Sequence, residues 1–290
     1  MEARPCVDVA INVLGKPYQT AVTLFTLLER SGAWIDRIHV NLERGGQEAE
    51  HALWMAPLAD RLVVHRPRFA LGTRPVHARW PYRWKAYRYA VRYQRAWERT
   101  DKRWLFITHN DMRFHGDLLD GMLAQAEGHI AVGPVGQCWN CPARAAEVCG
   151  PERFMAYRPS PEEWQAIMQR HPGVRQAHYP RLRKGEAPWP LPECRVNEWA
   201  VLVDLAIARP ATMPLGPAVP LGAFHGLDIG TAWFRDVLRA GHTVKHFDIA
   251  PYAQHAWASS TGSGHLAMTD RAEYERSEAR AHAVWKERFG

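Results

Sequence analysis

The stretch Leu227–Trp257, LDIGTAWFRDVLRAGHTVKHFDIAPYAQHAW, carries the reading of the fold. An acidic residue, Asp228, opens a segment with helical spacing, and a glycine turn follows it. The run Thr243–Ile249 then reads as a strand, and His255 comes just past it. A second stretch, Trp104–Phe114, WLFITHNDMRF, has a related form. Its apolar run Trp104–Thr108 reads as a strand that passes straight into His109-Asn110-Asp111. In an open α/β sheet ligands gather beyond the carboxyl ends of the strands, which is where these polar groups fall.

Outward from these two stretches the same alternation continues. Val7–Leu14 is apolar and β-branched and predicts a strand; Pro17 and Tyr18 turn the chain. TAVTLFTLLERSG then shows helical spacing and stops at Gly32. Ile35–Asn41 predicts a strand, Gln47–Leu58 a helix, and RLVVHRP a third strand. Pro81–Thr100 reads as a long basic, aromatic helix, Asp117–Ala126 as a helix and HIAVGPVG as a strand. Such alternation predicts an α/β fold with a mostly parallel sheet flanked by helices. Between about 137 and 195 the rhythm breaks into a Cys- and Pro-rich irregular insert. Asn197–Asp204 reads as a short helix or strand, Pro210–Gly222 as a loop, and Thr269–Arg288 as a charged terminal helix. The expected organisation is one catalytic domain over 1–257 and a helical tail over 258–290.

The composition sets outer bounds. With 290 residues, 47% apolar and 23% charged, the chain is long enough to bury a substantial core and does not read as disordered. It has no run of 18 apolar residues that would span a membrane. The opening MEARPCVDVAINVLG has no leader pattern, so a cytoplasmic location is expected, with peripheral contact at the inner membrane face as an option. The formal net charge is +7, which favours polyanionic partners such as nucleotide phosphates, an anionic membrane face or nucleic acid. No phosphate loop, nucleophile elbow or His-Glu-x-x-His motif is present; VLGKPYQT lacks the first glycine and the Ser/Thr of a Walker loop.

In this order, and with the opening VDVAINVLGKPYQT, these motifs resemble the family-2-like nucleotide-diphospho-sugar glycosyltransferases of GT-A fold. The resemblance covers about Val7–Gly133 and Gly222–Trp257. It implies a Rossmann-type sheet and transfer of a sugar from a UDP- or GDP-linked donor to a hydroxyl acceptor, a glycan or lipid-linked glycan. It further implies that Asp111, with His255 and His109, holds Mn²⁺ or Mg²⁺ on the diphosphate. His109 stands where such motifs usually carry an acid. Asp228 would be the base that takes the acceptor proton, with inversion; an N-cap role is its alternative. One acid is present there, since Leu227 precedes it. The Pro-containing turn after the first strand would hold the nucleobase, with Tyr18 stacking and Asn12 or Lys16 in contact. Asn110 joins the donor set, and Asp60 or a residue near His65 could read the base. His246 competes with His255, but lies within the expected strand.

Two further features stand apart. In RPVHARWPYRWKAYRYAVRYQRAWERTDKRW basic and aromatic residues interleave. They fit a nucleic-acid face, a membrane or lipid-linked acceptor surface, or an aromatic core stripe with a solvated basic side. Within the transferase reading Arg83 or Lys85 reaches the diphosphate, and nucleic acid is disfavoured. Cys138, Cys141, Cys149 and Cys194 suffice for a structural Zn²⁺; free thiols or a redox pair are the alternatives. A zinc-stapled basic binding module, or an inactive transferase-like protein, is therefore the competing view of the whole chain.

Overall fold

The computed structural model describes residues 5–43, 48–69, 71, 78–136, 138–182, 185–186, 188–225, 227–262 and 269–290. The chain opens with β1 (Val7–Val13), α1 (Pro17–Ser31), β2 (Ile35–Leu42), α2 (Ala52–Met55) and β3 (Leu62–His65). It continues through α3 (Lys85–Arg88), α4 (Gln94–Arg99), β4 (Trp104–Thr108), β5 (Met112–Phe114), α5 (Leu118–Leu123) and β6 (Ala131–Gly133). After α6 (Pro142–Ala145) and α7 (Pro161–Arg170) come β7 (Ala200–Asp204), α8 (Leu205–Ala211), α9 (Thr231–Arg239), β8 (Val244–His246), β9 (Ala253–His255) and α10 (Arg271–Arg288).

Among the described residues seven strands form one sheet in the order β3-β2-β1-β4-β7-β6-β8. The pairs β1–β2, β1–β4, β2–β3 and β6–β8 are parallel, and β7 runs antiparallel between β4 and β6. The expected α/β fold with a mostly parallel, helix-flanked sheet is therefore present. Both faces of the sheet are covered. Val9, Ile11, Phe106 and Leu202 pack with Leu24 and Leu27 of α1 on one side. Ala10, Leu105, Ile107, Val201 and Val203 pack with Trp233 of α9 on the other. This is the two-residue alternation of strands buried on both faces.

The order of the strands creates the site. From β1 the chain moves outward to β2 and β3, then returns to place β4 on the other side of β1. The crevice at the carboxyl ends of β1 and β4 is thus a switch point, bounded by the turn before α1 and by His109–Asp111. Because β7 is antiparallel, it begins where β4 ends, so Glu198 and Trp199 enter at this same edge.

Several expectations need correction. The segment Pro81–Thr100 is not one helix: a 3₁₀ turn spans Trp80–Arg83, and α3 and α4 are separated by Tyr93 in the left-handed region at φ 66°. Tyr93 is buried, and Arg88 folds inward to pair with Glu98 at 2.7 Å. The expected helix at Gln47–Leu58 is a 3₁₀ turn at Glu48–His51 followed by α2; Gln47 lies outside the described residues. Asn197–Asp204 resolves to strand β7. The helix expected from Asp228 starts at Thr231, with Gly230 at φ 85° as its cap residue, so Asp228 is not the N-cap. The last expected strand is only Val244–His246, and a second, β9, carries His255. Within the expected insert the chain forms α7, which Ser160 caps by accepting from the Glu163 amide.

The terminal helix α10 lies along α1. Phe25 meets Trp285 edge-on at 4.8 Å, and the Tyr18 and His282 rings sit 4.4 Å apart. Among the described residues no helix is long and apolar enough to cross a membrane.

Candidate metal and phosphate site

His109, Asp111 and His255 come together. Their ligand atoms all lie within 4.8 Å of one another. His109 Nδ1 is 3.4 Å from His255 Nε2, and Asp111 Oδ1 is 3.4 Å from His255 Nε2 and 3.8 Å from His109 Nδ1. The tie is the two-stranded ribbon of β5 and β9, whose register sets Met112 opposite His255. Asp111 immediately precedes β5, so the ribbon delivers an imidazole to that carboxylate.

The set has the donor chemistry of a cation site. Asp111 is 3% exposed, and its Oδ1 is buried with no hydrogen bond formed. Burial alone would raise the Asp111 carboxyl; the Lys16 ammonium and the His255 and His109 imidazoles overcome it and hold it well below the usual range. Burial lowers His255, against the opposing pull of Asp111, which favours the neutral ligating imidazole. One carboxylate and two imidazoles form a donor set for a divalent first-row transition metal; it accommodates Mn²⁺ less well than an all-oxygen set would, and Mg²⁺ least.

Behind His109 stands Glu198, which no reading of the sequence singled out. His109 Nε2 donates to Glu198 Oε1 at 3.3 Å, which leaves Nδ1 turned toward His255 and Asp111. Burial pushes Glu198 up, but the Arg195 guanidinium and His109 bring it down to about 2. Arg195 Nη1 donates to Glu198 Oε2 and to the Ile229 carbonyl, each at 2.7 Å, and lies 3.4 Å from Asp228 Oδ1. Asp228 is also met by Arg175 Nη1 at 3.2 Å. Asp228 and the triad therefore belong to one charged network. The signal for Glu198 was weak: only the antiparallel sense of β7, invisible locally, puts residues just before that strand at the site.

Lys16 completes the crevice. It sits in the left-handed region at φ 54°, after Gly15 at φ 61°, and its Nζ is 2.8 Å from Asp111 Oδ2. A lysine in that region costs on the order of 1 kcal/mol, and such strain concentrates at functional sites. The Tyr274 hydroxyl accepts from the Lys16 amide at 3.0 Å and holds the turn from α10. Asn110 donates to Thr20 Oγ1 at 3.1 Å and so ties the loop after β4 to α1.

The remaining sequence candidates fall at other places. Asn12 donates to Glu43 Oε1 at 2.9 Å and accepts from Asn41 at 2.6 Å, while Arg92 Nε reaches Glu43 at 3.3 Å. This buried polar cluster caps the carboxyl ends of β1 and β2, next to the crevice. Tyr18 faces His282 of α10. Arg83 and Lys85 are exposed, with Lys85 over the Tyr89 ring. His246 accepts from the Val135 amide and is not one of the triad. The first helix offers no amides to a phosphate: the Glu278 carboxylate accepts from the Tyr18 and Gln19 amides at 3.0 and 3.2 Å.

Cys138, Cys141, Cys149 and Cys194 line one small cavity, and all are free thiols. Burial raises each of them, Cys141 to about 11, which argues against a redox pair of low-pKa thiols.

No protein-family model matches this chain, and no curated protein matches it. Among solved structures it is similar to glucosyl-3-phosphoglycerate synthase from Mycobacterium tuberculosis in complex with Mn²⁺, UDP-glucose and phosphoglyceric acid. That match has 12% identity, covers 96% of this chain and 80% of that one, and has a TM-score of 0.43. The galactosyltransferase LgtC with donor and acceptor sugar analogues gives 13% identity, 83% and 73% coverage and a TM-score of 0.43. Core-mannan synthase A from Aspergillus fumigatus in an Mn/GDP form gives 10% identity, 82% and 65% coverage and a TM-score of 0.40. At these values the likeness transfers neither a ligand nor a residue role.

Proposed function

We propose that this protein is a metal-assisted glycosyltransferase of GT-A type, which moves a sugar from a nucleoside diphosphate sugar to a hydroxyl acceptor. The observation that carries it is the triad of His109, Asp111 and His255 at the switch point of the sheet, with the buried Asp111 oxygen left without a hydrogen bond. His109, Asp111 and His255 would hold Mn²⁺ or Mg²⁺, which when bound would supply charge neutralisation for a departing diphosphate. Glu198 orients His109, and Lys16 stands beside the same carboxylate as a second cation for the phosphates. Asn12, Asn41, Glu43 and Arg92 offer donors and acceptors for the nucleoside at the ends of β1 and β2. Asp228 is the candidate base; it takes the acceptor proton, and attack from the face opposite the leaving group gives inversion.

The basic binding module is the weaker reading. Its arginine face depends on an unbroken helix, and that segment is broken at Tyr93 with Arg88 and Arg92 turned onto Glu98 and Glu43. The donor, UDP- or GDP-linked, and an acceptor such as a glycan follow from the transferase reading.

The test is titration calorimetry of UDP and of GDP, with and without Mn²⁺, on the wild type and on Asp111→Ala. One nucleotide should bind in a metal-dependent way, and the variant should lose that dependence. Equal nucleotide binding by wild type and Asp111→Ala in Mn²⁺ would sink the proposal.

A further inference from the structure

The insert brings its four cysteines to one place. Cys138 and Cys141 bracket a 3₁₀ turn at Cys138–Asn140, and Cys141 is the residue before α6. Cys149 follows that helix, and Cys194 returns from the far end of the insert; all four line the same cavity. Cys141, Cys149 and Cys194 are buried at 7, 4 and 8% exposure. Chance burial of four separate thiols does not explain the details around them. The Cys141 amide donates to the Cys138 carbonyl at 3.2 Å, and the Cys141 carbonyl accepts from the Arg144 and Ala145 amides at 3.0 and 3.1 Å, so a hydrogen-bonded turn holds the Cys-x-x-Cys pair at the start of α6. At Gly136, at φ 108°, a Cβ would stand 2.6 Å from Cys138 Sγ, so the backbone there makes room for that sulfur. Arg144 lines the same cavity, as does Glu193, whose carboxylate is paired with Arg175.

We infer that Cys138, Cys141, Cys149 and Cys194 bind one structural Zn²⁺. This inference does not depend on the glycosyltransferase reading. Four thiolates around Zn²⁺ carry a net charge of −2, and the Arg144 guanidinium in the cavity lining offsets part of it. Binding exchanges four thiol protons for one dication, and no electron is transferred. In this structure no three of the sulfurs lie within 4.8 Å of one another, so they draw inward to reach the Zn–S distance of about 2.3 Å.

The place of the cluster gives it a task. Cys194 sits between Glu193, which pairs with Arg175, and Arg195, which bonds Glu198 and the Ile229 carbonyl. Fixing Cys194 therefore fixes the segment that supplies Arg195 to Asp228 and Glu198 to His109. Between the first two ligands, Trp139 is 65% exposed and tilted over Trp199 at 6.1 Å, and Trp199 in turn packs on His255 at 4.2 Å. The staple holds both a support and a wall of the crevice.

The experiment is metal analysis of the protein purified from zinc-supplemented cells, followed by exchange with Co²⁺ and absorption spectroscopy. One zinc per chain that survives dialysis against EDTA is expected. Co²⁺ should give thiolate charge-transfer bands, which His109, Asp111 and His255, having no sulfur, cannot produce. Cys149→Ser and Cys194→Ser should each lower retained zinc at least about tenfold, while Asp111→Asn leaves it unchanged. A folded wild-type protein without zinc, whose Co²⁺ form shows no thiolate band, overturns the inference. That readout stands even where a cysteine variant fails to fold, and it uses neither nucleotide nor Mn²⁺.

Discussion

Glu198 Oε1 lies 3.3 Å from His109 Nε2, and it is this pairing that turns the other imidazole nitrogen toward Asp111 and His255. A carboxylate behind a ligating histidine fixes the tautomer and the ring orientation. Glu198→Gln should keep the fold and weaken Mn²⁺ binding by about 10–100-fold, read by calorimetry or by the electron paramagnetic resonance signal of free Mn²⁺. Unchanged affinity would mean that the triad positions itself.

The same residue predicts a pH dependence. Its carboxyl stands at about 2 in the folded protein against an ordinary 4.5. A depressed acid contributes stability that is fully present above its unfolded pKa and is lost as pH falls through the folded one. The difference in unfolding free energy between wild type and Glu198→Gln should therefore shrink from about pH 4.5 toward about pH 2, by roughly 3 kcal/mol at most. Denaturant melts across that window would show it; a difference independent of pH would contradict it.

Lys16 and a divalent cation compete for the charge of Asp111. Replacing the lysine by methionine removes the ammonium 2.8 Å from Oδ2. Lys16→Met should bind Mn²⁺ more tightly in the absence of nucleotide, by about tenfold, and bind UDP or GDP more weakly in its presence. Two affinities that move in the same direction would remove Lys16 from the phosphate site.

Asp228 is more exposed than Asp111 or Glu198, and its Oδ1 accepts from the Ile229 amide at 2.8 Å. If it is the base, Asp228→Asn should lower kcat by about 10²–10⁴-fold while leaving metal-dependent nucleotide binding within about threefold. Loss of nucleotide binding with turnover would instead mark Asp228 as a support for Arg175 and Arg195.

Glu278 caps α1 from the terminal helix, so that helix is part of the folding unit of α1. Glu278→Ala strips the partner from the Tyr18 and Gln19 amides and should destabilise the protein by about 1–2 kcal/mol, seen as a lower thermal midpoint. A neutral change would mean that water replaces the carboxylate at no cost.

Elements whose signal is local were legible in the amino-acid order. Val7–Val13 and Trp104–Thr108 are strands because β-branched and apolar residues run together there, and Pro17 and Gly32 punctuate α1. That His109 and Asp111 end a strand was also legible, and so was the spacing that brings four cysteines into one insert. The other features depend on contacts between segments far apart in the chain. The β5–β9 ribbon sets His255 against Asp111 through ladder bonds between distant segments, and such bonds leave no local pattern. The antiparallel sense of β7 brings Glu198 to the site, and its sequence reads equally well in either direction. The basic segment breaks at Tyr93 because burying that ring and pairing Arg88 with Glu98 outweigh helical continuity. Glu278 reaches α1 from the far end of the chain, where only packing of α10 on Phe25 and Tyr18 could place it. Local propensity fixes where elements lie; the long-range burial of polar partners fixes which of their side chains meet.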